Sequence, residues 1–155
     1  MIAMYFSLLL SAPSLLDAST AAISMPTIHN TKLSAEHAIA IHDQGVQLYG
    51  AGQWVEALEQ FDRAIELAPK FSEAYNSRGL TYHMLEMRHQ AIADFDQAVQ
   101  VNPRYAEAFF NRALAKFELG AMREAIADMD QAIELDPLPV YIQHRDIISQ
   151  SLRES

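Results

Sequence analysis

The feature that most constrains this chain is a self-similarity with a period of 34 residues, running from Ala38 to Pro137. The three segments are AIAIHDQGVQLYGAGQWVEALEQFDRAIELAPKF from Ala38, SEAYNSRGLTYHMLEMRHQAIADFDQAVQVNPRY from Ser72 and AEAFFNRALAKFELGAMREAIADMDQAIELDP from Ala106. A fixed period in this range marks an array in which one supersecondary unit recurs and buries its apolar face against its neighbours. Seven columns align without a gap. A small residue stands at the eighth (Gly45, Gly79, Ala113), alanine at the twentieth (Ala57, Ala91, Ala125) and alanine again at the twenty-seventh (Ala64, Ala98, Ala132). The twenty-fourth is large and apolar (Phe61, Phe95, Met129), and the twenty-eighth (Ile65, Val99, Ile133) and thirtieth (Leu67, Val101, Leu135) are aliphatic. The thirty-second is proline (Pro69, Pro103, Pro137).

Each column has a physical reason. Alanines seven apart lie two turns apart on one helical face, so a neighbouring helix can approach closely along them. The bulky residue four positions after the first alanine lies on the same face and fills the space the alanines leave. Proline removes a backbone donor and disfavours helical geometry in the residue before it, which ends the second helix of each unit. Gly52 and Gly120 are placed to close the first helix with a left-handed cap. The middle repeat has Glu86 there, which predicts a less regular turn. Ser34 and Ser72, each followed by a glutamate, are expected N-caps.

These columns resemble the tetratricopeptide repeat, a 34-residue helix-turn-helix unit, over roughly residues 38–137. Arg78 and Arg112 stand where the family usually has leucine at the seventh column, Gln44 does so in the first repeat, and Lys116 replaces the usual tyrosine of the eleventh. Trp54 is the usual aromatic that opens the second helix. The resemblance implies an all-α fold, a right-handed superhelical solenoid of three hairpins (residues 38–71, 72–105 and 106–137) with a concave inner surface. Residues 138–155 suit a C-terminal capping helix in which Val140, Tyr141, Ile147, Ile148 and Leu152 cover the last repeat, while Gln143, Arg145, Asp146, Gln150 and Arg153 face water. No comparable cap is evident before the first hairpin, which leaves a surface for self-association into a homo-oligomer.

At 155 residues, half of them apolar, the chain can bury one core, with roughly two-thirds of the unfolded surface removed from water. The net charge of -9 works against nucleic-acid and anionic-membrane partners, and the 11 Lys and Arg form no patch among 20 Asp and Glu. There is no cysteine, hence no disulfide, thiolate metal site or thiol nucleophile. Residues 1–21 read as a signal peptide or disordered leader: Ile2 to Leu16 is uncharged and apolar but shorter than a bilayer span of roughly 20 residues. Cleavage is expected after Ala21 or Ala22, which would export the mature chain to the periplasm or extracellular space; otherwise the chain is cytoplasmic. Residues 22–33 read as a linker and 22–37 as linker plus the start of the first helix.

The resemblance also implies where a partner would bind. In this family the first helix of each hairpin lines the concave side through its second, fifth, ninth, twelfth and thirteenth columns. Those columns nominate His42, Val46, Tyr49, Asn76, Leu80, His83, Met84, Phe110, Leu114 and Phe117 as groove residues, with Ile39, Glu73, Glu107 and Glu118 beside them and Asp43, Ser77 and Asn111 on the rim. Such a surface suits an apolar peptide or amphipathic helix of another protein. The family's carboxylate clamp for chaperone tails needs convergent cationic and amide donors. His42, Val46, Ser77, Glu107 and Asn111 occupy its positions, which is not a clamp. The six histidines show no paired ligand spacing, and no nucleophile elbow or phosphate-binding loop is present, so no catalytic residue, metal or cofactor is expected. Asp94 with Asp96, and Asp128 with Asp130, read as a repeated solvated face, because residues two apart on a helix diverge. A hydrolase using Asp94 or His83 is the least favoured class.

Overall fold

The computed structural model describes residues 27–154, with side chains from Leu33 onward. The leader expected over residues 1–21, with its cleavage sites, lies outside the described residues. The chain divides into two units at Lys32, and all packing described below is within residues 33–154. The described residues form seven helices and no strand: α1 (Thr27–Gly50), α2 (Trp54–Leu67), α3 (Ser72–Met84), α4 (Arg88–Val101), α5 (Ala106–Glu118), α6 (Met122–Leu135) and α7 (Pro139–Glu154). None is long and apolar enough to cross a membrane. They make a tetratricopeptide-type solenoid in which α3 pairs with α4, α5 with α6, and each even-numbered helix also packs on the next odd-numbered one.

The repeat columns form the core. Ala57, Ala64, Ala91, Ala98, Ala125 and Ala132 are fully buried, and Phe61, Phe95 and Met129 fill the space between them. Ala68, Asn102 and Asp136, each immediately before a column proline, leave helical geometry as the proline requires. Gly52 and Gly120 adopt φ of 76° and 78°. Glu86 adopts φ of 59°, and its turn is closed by the bond found in the others. Met87 N–H donates to Tyr82 O at 2.9 Å, as Gln53 does to Leu48 O at 2.9 Å and Ala121 to Lys116 O at 3.0 Å. The middle turn is therefore as regular as its neighbours, contrary to expectation. Hairpin packing imposes the left-handed residue, and the glutamate bears the steric cost.

Three further sequence expectations change. Helix α1 begins at Thr27, so much of the stretch read as linker is helical and Ser34 lies inside a helix instead of capping one. At α3 the cap position is Phe71, while the Ser72 hydroxyl donates to Glu73 Oε2 at 2.9 Å. Of the four aspartates read as a solvated face, Asp96 and Asp130 are exposed but Asp94 and Asp128 are not. Asp94 and Asp128 are each 5% exposed, gripped from two sides by the arginines at the seventh column. Arg78 donates to both Asp94 oxygens (2.7 and 2.6 Å) and reaches Asp62 of the preceding repeat. Arg112 donates in the same fashion to Asp128 and reaches back to Asp96 at 2.7 Å, with Lys116 adding a second cation on Asp128 at 2.7 Å. Arg145 of α7 continues the series to Asp130 at 3.1 Å. A charged ladder thus links successive repeats. Burial pushes the Asp94 carboxyl up, while the Arg78 fork pulls it down.

Candidate protein-interaction groove

The odd-numbered helices α1, α3, α5 and α7 stand side by side and are tied together by side chains from matching columns. His42 Nε2 and Ser77 Oγ are hydrogen-bonded at 3.0 Å, linking the fifth column of α1 to the sixth of α3. Asn111 Nδ2 donates to Asn76 Oδ1 at 3.0 Å, which repeats the link between α3 and α5. Between α5 and α7 the same place is taken by Phe110 and His144, whose rings meet edge-on at 5.3 Å. A second row joins the twelfth column to the thirteenth: His83 Nε2 lies 3.0 Å from both Glu118 oxygens, and Arg88 Nε donates to Glu118 at 2.8 Å. Burial alone would raise the Glu118 carboxyl, but Arg88 and His83 together hold it below its ordinary value.

This bonding decides which nominated residues are available to a ligand. Asn76 is buried, and its amide also donates to the Tyr105 hydroxyl at 3.3 Å, so its hydrogen bonds are committed within the solenoid. Burial, with Glu107 and Glu73 nearby, pushes the Tyr105 hydroxyl up to about 12. Leu80 is half-buried against Ala91, Phe95 and Ala115. Phe110, Leu114 and Phe117 are half-buried against the cluster of Ala113, Ala125, Met129 and Ile148, and Phe110 also stacks on Tyr141 with centroids 4.7 Å apart. His42 is enclosed by the rings of Phe61 and Phe71 at 5.5 and 5.0 Å. Tyr49 and His83 are half-buried. Val46 and Met84, by contrast, are 45% and 43% exposed.

Sequence reasoning expected Tyr141 and Ile148 of α7 against the last repeat but misjudged the rotation of the helix. Tyr141 and Ile148, seven apart, are buried against the last repeat. They occupy the positions that Ala108 and Ala115 hold in α5, the third and tenth columns, with Arg145 at the seventh. Helix α7 begins 33 residues after α5, not 34, because the connection after Pro137 is one residue shorter. That shift moves Ile147 into the ninth column and Val140 into the second. Both were expected to cover the last repeat; both are exposed, at 49% and 41%. Arg145 faces water as expected and also holds Asp130. The signal was available in the spacing of Arg145 from Arg78 and Arg112. The ninth column is consequently apolar in all four odd helices: Val46, Leu80, Leu114 and Ile147.

The leading end carries different residues at these columns. The tenth column faces the preceding even helix, as Ala115 and Ile148 show. In α1 the corresponding column is Gln47, with Ala40 and Gln44 at the third and seventh, all exposed. At these columns α1 presents two glutamines and an alanine to the leading side.

Comparison with known proteins agrees with this architecture. Residues 45–85 match a family model described as TPR repeat, and residues 88–138 match one described as tetratricopeptide repeat. No curated protein matches the chain. Among solved structures, the first TPR of Spaghetti (RPAP3) bound to the HSP90 peptide SRMEEVD superposes with a TM-score of 0.75 at 25% identity, covering 77% of this chain and 95% of that one. The Arabidopsis OM64 TPR domain gives 0.71 at 24% identity, covering 78% and 98%. The second TPR domain of human RPAP3, in complex with the HSP70 peptide SGPTIEEVD, gives 0.70 at 23%, covering 77% and 98%. The fold and its inner face define a helical-repeat protein of the kind that mediates protein–protein interaction. The chain belongs to the tetratricopeptide repeat family.

Proposed function

We propose that this protein is an interaction scaffold that holds an apolar peptide or amphipathic helix of a partner against the inner face of α1, α3, α5 and α7, for the assembly or targeting of a larger complex. The observation that carries this reading is the ninth-column stripe, in which Val46 and Ile147 are exposed at the two ends of a row completed by Leu80 and Leu114. Exposed apolar side chains in a continuous row are the feature that peptide grooves use for affinity. The reading assigns no chaperone-tail capture. His42 and Ser77 are bonded to each other, Asn111 to Asn76, and Glu107 is acidic, so these positions offer a terminal carboxylate no cation. It assigns no catalysis either, since His42, His83 and Asp94 are each engaged in bonds between or within repeats.

The test is a peptide-display selection on the immobilised protein, repeated with Val46→Glu and Ile147→Glu. Both residues are exposed, so the variants keep the wild-type melting temperature. Replacing Leu80, Phe110 or Phe117 would open the core and confuse loss of binding with loss of fold. Selected sequences should be rich in large apolar residues and lose at least about tenfold in affinity for either variant. Undiminished binding to both would refute the groove as the site.

A further inference from the structure

Resting on the groove reading above, we infer that the segment it receives is cationic as well as apolar, with Lys or Arg side chains along one edge that pair with Glu73 and Glu107. These glutamates stand at the second column of α3 and α5, in the first turn of each helix, and both are exposed. They lie on the same side of the ninth-column stripe, one helix apart. The two helices that carry them are tied side by side by the Asn76–Asn111 and Asn76–Tyr105 hydrogen bonds.

Neither glutamate takes part in an ion pair among the described residues; Lys70 and Arg104, each three residues before one of them, form none either, and the cations of the neighbouring odd-helix columns are committed elsewhere. Arg78 is held by Asp62 and Asp94, Arg112 by Asp96 and Asp128, Lys116 by Asp128, and Arg145 by Asp130. The other inner-face glutamate, Glu118, is neutralised by Arg88 and His83. Asp43, on the rim of α1, has only the His42 ring within reach, at 3.5 Å. The second, fifth, sixth, ninth, twelfth and thirteenth columns of all four odd helices hold no lysine or arginine. Helix dipoles at the starts of α3 and α5 offset a part of the two charges, not the whole. The inner columns themselves thus border the apolar stripe with net negative charge. An acidic segment would be repelled there, a neutral one would add no counter-charge to the glutamates, and a basic one would supply it.

The test uses the intact protein and three amphipathic helical peptides with one leucine face and a polar face of lysine, glutamine or glutamate, titrated by fluorescence anisotropy. The lysine peptide should bind most tightly, the glutamine peptide less, and the glutamate peptide least. E73Q/E107Q should weaken the lysine peptide by about fivefold or more and leave the glutamine peptide unchanged. E59Q/E66Q on α2 removes the same charge away from the inner face and should change neither; thermal melting verifies that both variants fold. Equal binding of the lysine and glutamine peptides, or an E73Q/E107Q variant that binds the lysine peptide as wild type does, would overturn the inference. Val46→Ser and Ile147→Ser separate the two levels. If they weaken every peptide while charge has no effect, the groove stands and its basic occupant does not. If they weaken none, the groove itself is the wrong site.

Discussion

The Cβ atom that Gly79 lacks would lie 2.7 Å from Cε1 of the Phe95 ring, closer than a packed carbon tolerates. Gly45 stands in the same relation to Phe61, at 2.6 Å, whereas the third repeat pairs Ala113 with Met129 in one cluster. A planar ring demands glycine across from it, and a flexible thioether chain admits a methyl. Gly79→Ala should cost about 1–3 kcal/mol through overpacking. Phe95→Met in that background should recover part of the loss, so that the double variant is more stable than the sum of the single effects. Urea denaturation of the four-member cycle measures the coupling, and strict additivity would contradict the account.

Glu86 carries a second testable strain. Its φ of 59° is a conformation in which the side chain crowds the backbone, and the matching residues of the other hairpins are glycine. Glu86→Gly should stabilise the protein by about 1 kcal/mol, with no change in helical circular dichroism. A loss of stability would show that the glutamate side chain supports the turn in a way its geometry does not reveal.

The periodic columns were legible in the sequence because helix packing constrains size at fixed spacing, and size can be read one residue at a time. The charged ladder was not. Arg78 looked like a departure from a leucine column, and Asp94 like one of a surface pair, because the partner of each lies 16 residues away across a helix boundary. The pairing depends on which side of α4 turns inward. Val140 and Ile147 were misplaced for a related reason: one residue fewer before α7 rotates every side chain by about 100°, and the apolar pattern alone fits either rotation. What spacing alone did not show is that Leu80, Phe110 and Phe117, nominated for the groove, are half-buried against the core clusters.

The ladder's energetics follow from its burial. Asp128 compensates Arg112 and Lys116, so Asp128→Ala leaves two partly buried cations facing each other and should destabilise by about 3 kcal/mol. Asp130→Ala, which removes an exposed partner of Arg145, should have a far smaller effect, because solvent screens the pair. Chemical denaturation of both variants checks the contrast. Equal effects would mean that burial does not set the strength of these pairs.

Tyr105 predicts a pH dependence. Its hydroxyl is pushed up to about 12, whereas in the unfolded chain a tyrosine ionises near 10. The folded state therefore retains a proton that the unfolded state loses. The resulting contribution is fully present below pH 10 and disappears as pH rises through the interval to about 12. Ultraviolet titration of the native protein should show a late phenolate transition that Tyr105→Phe removes. If that variant titrates like wild type, Tyr105 is not the late group.

The peptides SRMEEVD and SGPTIEEVD, present in two of the similar structures, offer a sharp negative expectation. With no lysine or arginine at the inner columns and with Glu73 and Glu107 exposed there, both peptides should bind more weakly than about 1 mM by anisotropy. Micromolar affinity would mean that cations outside those columns can reach the groove.

The most direct test of the groove is an amide chemical-shift map recorded while a display-selected peptide is titrated into the labelled protein. The account predicts shifts concentrated along α1, α3, α5 and α7, largest around Val46, Met84, Leu114 and Ile147, with α2, α4 and α6 little changed on their outer faces. Shifts confined to those outer faces, or spread evenly over the solenoid, would contradict it.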